Sequence, residues 1–387
     1  MRLLAGTGVS RARDGAMAGA EAATEAVRAL GGQPPALVIV FTAPKYELHA
    51  LLDAIRSVTG SAPLVGATGS GEIAQGQYLG FGGGVAVLAV TAGPYRFGIA
   101  SRSHIRGDLN AAGQAIARES KAQAGACPHG AVLLLADSLL GDLQELVHGV
   151  YRVAGARVPI SGGAAGDEQK FIRTFVFHDD SIVEEGAVAV WIGSSHPLTV
   201  VVGHGWQPIG EPLLVTRAEG TELMEIGGAH ADDVYERQLG LAPHTLSPES
   251  FWGTSILHPF GIPQDDGSMV IRVARSKTPG GSLMIQGCVP PAGAAVQVMR
   301  GSAEALLGVV EDVVGRALRA APEPGVLLTF SCAARAAIYG PRAEEEPRRL
   351  QQAAGGVPTF GFFCCGEFAR TAGVLATHNA SLVAVAL

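Results

Sequence analysis

Apolar positions along this chain fall into two alternating rhythms. LVIVF at 37–41, AVLLLA at 131–136 and GVLLTF at 325–330 are unbroken runs, the pattern of strands buried on both faces. Beyond them the spacing changes to three and four, as in Leu48, Leu51, Leu52 and Ile55 or Leu139, Leu143, Leu146 and Val147, which predicts amphipathic helices. A second set of runs, VAVLAV at 85–90, AVAVWI at 187–192 and LVAVAL at 382–387, predicts further buried strands. Ahead of each of these stands one punctuation: Pro-x-x-Gly, three or four residues, then Gly and an acid. It reads PLVGATGSGE (Pro63 to Glu72), PISGGAAGD (Pro159 to Asp167) and PTFGFFCCGE (Pro358 to Glu367). The residue counts give roughly 0.1 such matches by chance, so three mark a repeated module.

Each module therefore reads strand, helix, strand, glycine turn, strand, with the first two strands parallel and the last one returning. Proline opens a strand where its missing donor does least harm. The glycines supply positive φ or close backbone approach, and the acid either caps turn amides or meets a ligand. Two modules lie in the first half and one at the C-terminus. A strand at Leu3–Val9 and an Ala-rich helix over 14–30 precede them. Residues 199–220 form two strand-like stretches around a Gly/Pro turn, 221–240 read as strand, turn and helix, and a helix is expected over 301–320. The expected architecture is α/β, two domains built from repeated strand–helix–strand–turn–strand units with mixed sheets. A boundary near 196–200 gives domains 1–198 and 199–387.

Composition narrows the function classes. With 28 basic against 35 acidic residues and no basic stripe, phosphate-driven nucleic-acid binding is not expected. No apolar run reaches the roughly 18 residues of a membrane span, and the N-terminal apolar stretch is short for a secretory signal. Five irregularly spaced cysteines suggest reduced thiols. A cytoplasmic globular protein is the expectation.

In order and spacing these segments resemble the FIST family of bacterial sensory domains. The first half carries LVGATGSGEI and SGGAAGDEQKF…TFVFHDDSIVEEGAVAV. The second half carries GWQPIGEPLLVT, FSCAARAAIYG, PTFGFFCCGEF and HNASLVAVAL. The resemblance implies a small-ligand sensor that reports to a histidine kinase or a cyclic-dinucleotide signalling enzyme. It also implies that haem b, as in the nitric oxide sensing members, is a candidate cofactor.

Tests for chemistry leave few motifs. GATGSGE lacks the Lys-Ser/Thr of a phosphate loop, and no CxxC, HExxH or zinc spacing occurs. Without CxxCH any haem is non-covalent, and His378, His204 and His258 are the axial candidates, each weighed against an ordinary hydrogen-bonded histidine. Cys332 at a strand end supports an alternative, a Cys-dependent enzyme, although buried small residues explain it equally. A third reading is an amino-acid or organic-acid sensor without haem. The candidate ligand residues cluster at the strand ends: Gly69, Ser70, Glu72, Gly163, Asp167, Ser331, Cys332, Arg335, Cys364 and Glu367. Arg335 is read as a carboxylate clamp or, alternatively, as a partner in a surface ion pair.

Overall fold

A computed structural model describes residues 2–264, 267–287, 289–370 and 377–387. The first unit runs β1 (Ala5–Ser10), α1 (Gly15–Arg28), β2 (Leu37–Thr42), α2 (Leu48–Thr59), β3 (Leu64–Thr68), a hairpin β4 (Glu72–Ala74) and β5 (Gln77–Tyr78), and β6 (Val85–Val90). The second repeats it: β7 (Tyr95–Arg102), α3 (Leu109–Ala124), β8 (His129–Ala136), α4 (Leu143–Ala154), β9 (Ile160–Ala164), β10 (Val176–His178), β11 (Ser181–Val183) and β12 (Ala187–Ser194).

The third unit opens with β13 (Val200–Gly203) and is then interrupted by an inserted domain. The insert comprises β14 (Gln207–Pro208), β15 (Leu213–Glu219), β16 (Glu222–Ile226), β17 (Ala229–His230), α5 (Ala231–Gln238), α6 (Pro248–Ser255), β18 (Phe260–Pro263), β19 (Met269–Arg272), β20 (Ala274–Lys277), β21 (Leu283–Ile285) and β22 (Ala295–Arg300). The unit resumes with α7 (Ala303–Leu307), α8 (Val310–Ala320), β23 (Leu327–Cys332), α9 (Ala333–Tyr339), α10 (Glu345–Ala353), β24 (Thr359–Cys364), β25 (Glu367–Arg370), β26 (Thr377–His378) and β27 (Leu382–Ala386). The helix expected over 301–320 is thus two helices, and the sheet of the insert carries no repeat signature.

Every unit builds the same four-strand sheet, ordered β1-β6-β2-β3, β7-β12-β8-β9 and β13-β27-β23-β24. The strands flanking the helical crossover pair in parallel, β2 with β3, β8 with β9 and β23 with β24, and the last strand returns antiparallel. Each hairpin that follows a glycine turn then leaves its own sheet. β10 pairs with β3, β25 with β9 and β4 with β24, so unit two extends unit one, unit three extends unit two, and unit one extends unit three. The exchange is cyclic.

The three sheets close on one shared core. Phe41 of β2 stacks on Phe362 of β24 at 4.1 Å and on Phe360 at 5.2 Å, and meets Phe330 of β23 edge-on at 6.4 Å. Offset-stacked and edge-on pairs of this kind add to the burial of their area. Outside each sheet lies its helix pair over a separate apolar layer, such as Leu51, Leu52 and Ile55 in unit one or Leu146, Val147 and Val150 in unit two. Strands covered on both sides leave no polar face, hence the unbroken runs in the sequence.

The repeated glycines have a direct cause. A Cβ at Gly66, Gly162 or Gly361 would lie 2.2, 1.9 or 1.8 Å from the carbonyl of Val40, Leu134 or Thr329 on the neighbouring parallel strand. No side chain fits there.

Because the hairpins are exchanged, residues 1–198 expressed alone would leave β4–β5 without β24, β9 with a bare edge and Phe41 without its stacking partners. We expect 1–198 and 199–387 to be poorly folded apart, with strong binding of an apolar dye, and to regain a cooperative melt only when co-expressed. Two independently cooperative halves would contradict this.

Candidate functional site

The cyclic exchange draws the three glycine turns together, and backbone hydrogen bonds lock them. Ser70 N donates to Phe363 O and Phe363 N to Gly71 O, both at 2.8 Å. Cys365 N donates to Ala164 O at 2.9 Å and Ala164 N to Gly366 O at 2.8 Å, while Gly166 N donates to Thr68 O at 2.8 Å. Gly71 and Gly366 sit at φ 120° and 123°, which only glycine tolerates comfortably. Gly69 and Gly163 are tight neighbours in this hub: a Cβ would meet the Phe362 ring at 3.1 Å and Cys364 Cβ at 2.8 Å respectively.

The three turn acids have different fates. Asp167 is a cap, accepting from the amides of Phe171, Ile172 and Arg173 at 2.8, 2.6 and 3.0 Å. Glu367 is fully buried, its Oε2 accepting from Ser381 N at 3.0 Å and its Oε1 facing the Cys364 thiol at 3.4 Å. Glu72 is also fully buried, and neither of its oxygens has a hydrogen-bond partner. Burial pushes the Glu72 carboxyl up to about 8, an effect tempered by the nearby amides of Glu72 and Gly84. Burial raises Glu367 as well.

The thiols gather beside Glu367. Cys332 and Cys364 stand opposite each other in the parallel β23–β24 register. Cys364 Sγ donates to Ser331 O at 3.3 Å, and Cys365 lies within 4.0 Å of Ser70 Oγ. Ser331 Oγ is buried without a partner. Burial, with Glu367 adding to it, lifts Cys332 and Cys364 well above the ordinary thiol range, and burial pushes Cys365 up to about 12. All three are held as neutral thiols, the opposite of the thiolate a nucleophile or redox centre requires.

These cysteines form the floor of a narrow cleft between the three-unit body and the insert. Its walls are Gln169 and Phe171 from the loop capped by Asp167, Ala333 and Ala334 at the start of α9, Asn379, and Trp252, Val273 and Gln286 of the insert. It leaves about 30 Å³, room for one or two waters. The wall loop is strained: Glu168, Gln169 and Phe171 have φ of 62°, 63° and 54°, which costs energy in non-glycine residues and concentrates at ligand clamps. Gln169 Nε2 pins the loop to Ala333 O at 2.9 Å. The guanidinium of Arg275, an exposed residue of the insert, lies 4.0 Å over the Phe171 ring and forms no ion pair with the described residues.

Arg335 and the three histidines sit otherwise than the carboxylate clamp and the haem ligands expected of them. Arg335 is fully buried, and both its Nε and Nη2 donate to Glu346 Oε2, at 3.0 and 2.6 Å. Nη2 also reaches Leu306 O and Nη1 reaches His204 O. The edge that would clamp a carboxylate is occupied, and the residue is an ion-pair partner, although the pair is fully buried and not at the surface as expected. His204 Nδ1 accepts from Trp206 N at 2.9 Å, which leaves its proton on Nε2, and burial lowers it to about 4. His258 donates through Nδ1 to Thr254 O and is not among the residues lining the cleft. His378 donates through Nε2 to Ala369 O at 3.0 Å and borders a chamber of only about 30 Å³. A porphyrin needs several hundred Å³. Neither this chamber nor the cleft has room for a haem.

Two families match in tandem, the FIST N domain over residues 36–229 and the FIST C domain over 231–370. The chain belongs to the FIST family. FIST domains are associated with small-ligand sensing in signal transduction and are generally sensory rather than catalytic. The chain is also similar to the uncharacterized protein Rv0628c of Mycobacterium tuberculosis (strain ATCC 25618 / H37Rv), 29% identical over 381 residues and 97% of each chain. The uncharacterized protein Mb0898c of Mycobacterium bovis is 29% identical over 230 residues, 57% of this chain and 58% of that one. Among the described residues no helix of this FIST protein is long and apolar enough to cross a membrane.

The sequence reading missed Gln169, Phe171, Trp252, Arg275, Gln286 and Asn379. Gln169 and Phe171 lie within four residues of Asp167, and Asn379 is next to His378, close enough to have been drawn in; Trp252, Arg275 and Gln286 come to the site only through the docking of the insert.

The buried acids set a pH dependence. The Glu72 carboxyl titrates higher in the folded than in the unfolded chain, so the folded state holds the extra proton between pH 4.5 and 8. That stabilisation is complete at low pH and is lost as pH rises through 8. The thermal midpoint should fall by about 5 °C between pH 6 and 9, and Glu72→Gln should flatten the slope. An identical slope in the variant would show that Glu72 does not titrate in this window.

Proposed function

We propose that this chain is a ligand-binding sensory protein whose ligand, a small organic anion, enters the cleft between the three-unit body and the insert. The observation that carries the reading is the cleft itself: largely apolar walls supplied by both bodies, with the Arg275 guanidinium, in no ion pair among the described residues, stacked on one of them. A guanidinium in that position pairs with a carboxylate at the mouth while the ligand's apolar body meets Phe171, Trp252 and Val273.

The narrowness of the cleft supplies the signalling step. A space of about 30 Å³ admits only a few atoms, so a larger ligand requires the insert to shift against the body. A ligand that binds the opened arrangement better moves the population toward it. The strained loop over 168–171 gives way first, because only two contacts tie its outer face to the cleft, Gln169 to Ala333 and Phe171 under Arg275, while Asp167 holds its base. The altered surface is read by a partner signalling protein of the histidine-kinase or cyclic-dinucleotide type that the family association suggests.

The competing enzyme reading rests on Cys332, whose thiol is buried and held protonated. Nothing around it lowers its pKa enough to supply a thiolate, which favours binding over covalent catalysis.

Calorimetric titration with a panel of short carboxylic acids tests the proposal. At least one should bind, and Arg275→Ala should weaken it by about tenfold or more, the loss of one charge-assisted contact. Unchanged affinity in the variant would remove Arg275 from the site, and an absence of binding across the panel would remove the anion class.

A further inference from the structure

A second chamber lies behind the cysteines and shares Gln286, Cys365 and Asn379 with the cleft. Its other walls include Ser138 and Gly141 beyond β8, Glu367, Thr377 and His378. It leaves about 30 Å³, room for one or two non-hydrogen atoms. Two of its lining residues carry buried polar atoms that satisfy nothing: His378 Nδ1 and Ser138 Oγ. His378 is only 6% exposed. Leaving such atoms unmatched costs free energy, so two of them bordering one small chamber mark a place where a polar group belongs.

The character of that group follows from the wall. His378 Nε2 faces a carbonyl, Ala369 O, and must donate to it. The neutral ring then offers Nδ1 as an acceptor only. Ser138 Oγ both donates and accepts. A hydroxyl does the same. A carboxylate is excluded, since it brings no donor for Nδ1 and would lie beside buried Glu367. An ammonium fits poorly, because the buried Arg272 guanidinium already disfavours positive charge at His378, and burying a further cation is costly.

We propose that the chamber is the specificity pocket of the sensor and binds a hydroxyl group of the ligand through His378 Nδ1 and Ser138 Oγ. This rests on the cleft reading above: the ligand is a small hydroxycarboxylic acid, its carboxylate at Arg275 and its hydroxyl in the chamber. A water molecule offers the same chemistry, and the experiment separates the two.

Matched pairs that differ by one hydroxyl, lactate against propionate and malate against succinate, are titrated into the full chain by calorimetry. The hydroxy member of at least one pair should bind about tenfold or more tighter, the worth of a buried hydrogen bond. Ser138→Ala and His378→Phe should each close that gap between the members of a pair. Ser138→Ala removes an atom with no partner, so it keeps the test valid if loss of the His378 bond to Ala369 destabilises the fold. Equal affinities within every pair, with Arg275→Ala still weakening both members, would mean that the chamber holds only water and would overturn the inference while the cleft reading stands. A gap that persists in both variants would also overturn it. Failure of every acid to bind would overturn both.

Discussion

The structure depends on the exchange of three short hairpins. Each unit's sheet is extended by a strand donated by another, and the donated strands follow the glycine turns, at once for Glu72 and Glu367 and after a loop for Val176. Those turns therefore converge on one point, joined by amide–carbonyl bonds among Ser70, Phe363, Ala164, Cys365 and Gly166. Glycine recurs where a Cβ would strike a neighbouring carbonyl, at Gly66, Gly162 and Gly361, or where φ lies near 120°, at Gly71 and Gly366. The Phe41–Phe362 stack and its neighbours fill the space beneath.

From that hub the candidate site follows. The turn of unit three sets Cys364, Cys365 and Glu367 at the floor, the loop after the second turn supplies Gln169 and Phe171, and the insert closes the top with Trp252, Val273 and Gln286. The insert is stitched to the hub through Asn379: Val273 N donates to its Oδ1 at 3.1 Å, and Asn379 N donates to Ile271 O at 3.3 Å. Movement of the insert is thereby coupled to the residues that line both the cleft and the chamber behind it. A rigid base with one mobile wall is what a binding-induced population shift needs.

The repeat, its strands and the α/β class were legible in the sequence because each rests on a local constraint: double burial gives unbroken apolar runs, and close backbone approach gives glycine. The exchange was not legible. Glu72–Ala74, Val176–His178 and Glu367–Arg370 are too short to carry a pattern that names their partners. The cluster of Cys332, Cys364, Glu367 and the hub glycines was foreseen from the position of strand ends. Arg335 was open between two roles, since an arginine beyond a buried strand reads the same with or without Glu346 eleven residues later. The insert's contribution was out of reach, because Trp252, Arg275 and Gln286 meet the site only through tertiary docking.

The central claim is that the three interlocked turns form the rigid hub on which the site is built. Native-state hydrogen exchange resolved to single amides tests it most directly. The amides of Ser70, Ala164, Phe363, Cys365 and Gly166 should be among the slowest in the chain, opening only with global unfolding, while those of Gln169 and Phe171 exchange through local opening. Hub amides that exchange as fast as the 168–171 loop would contradict the account.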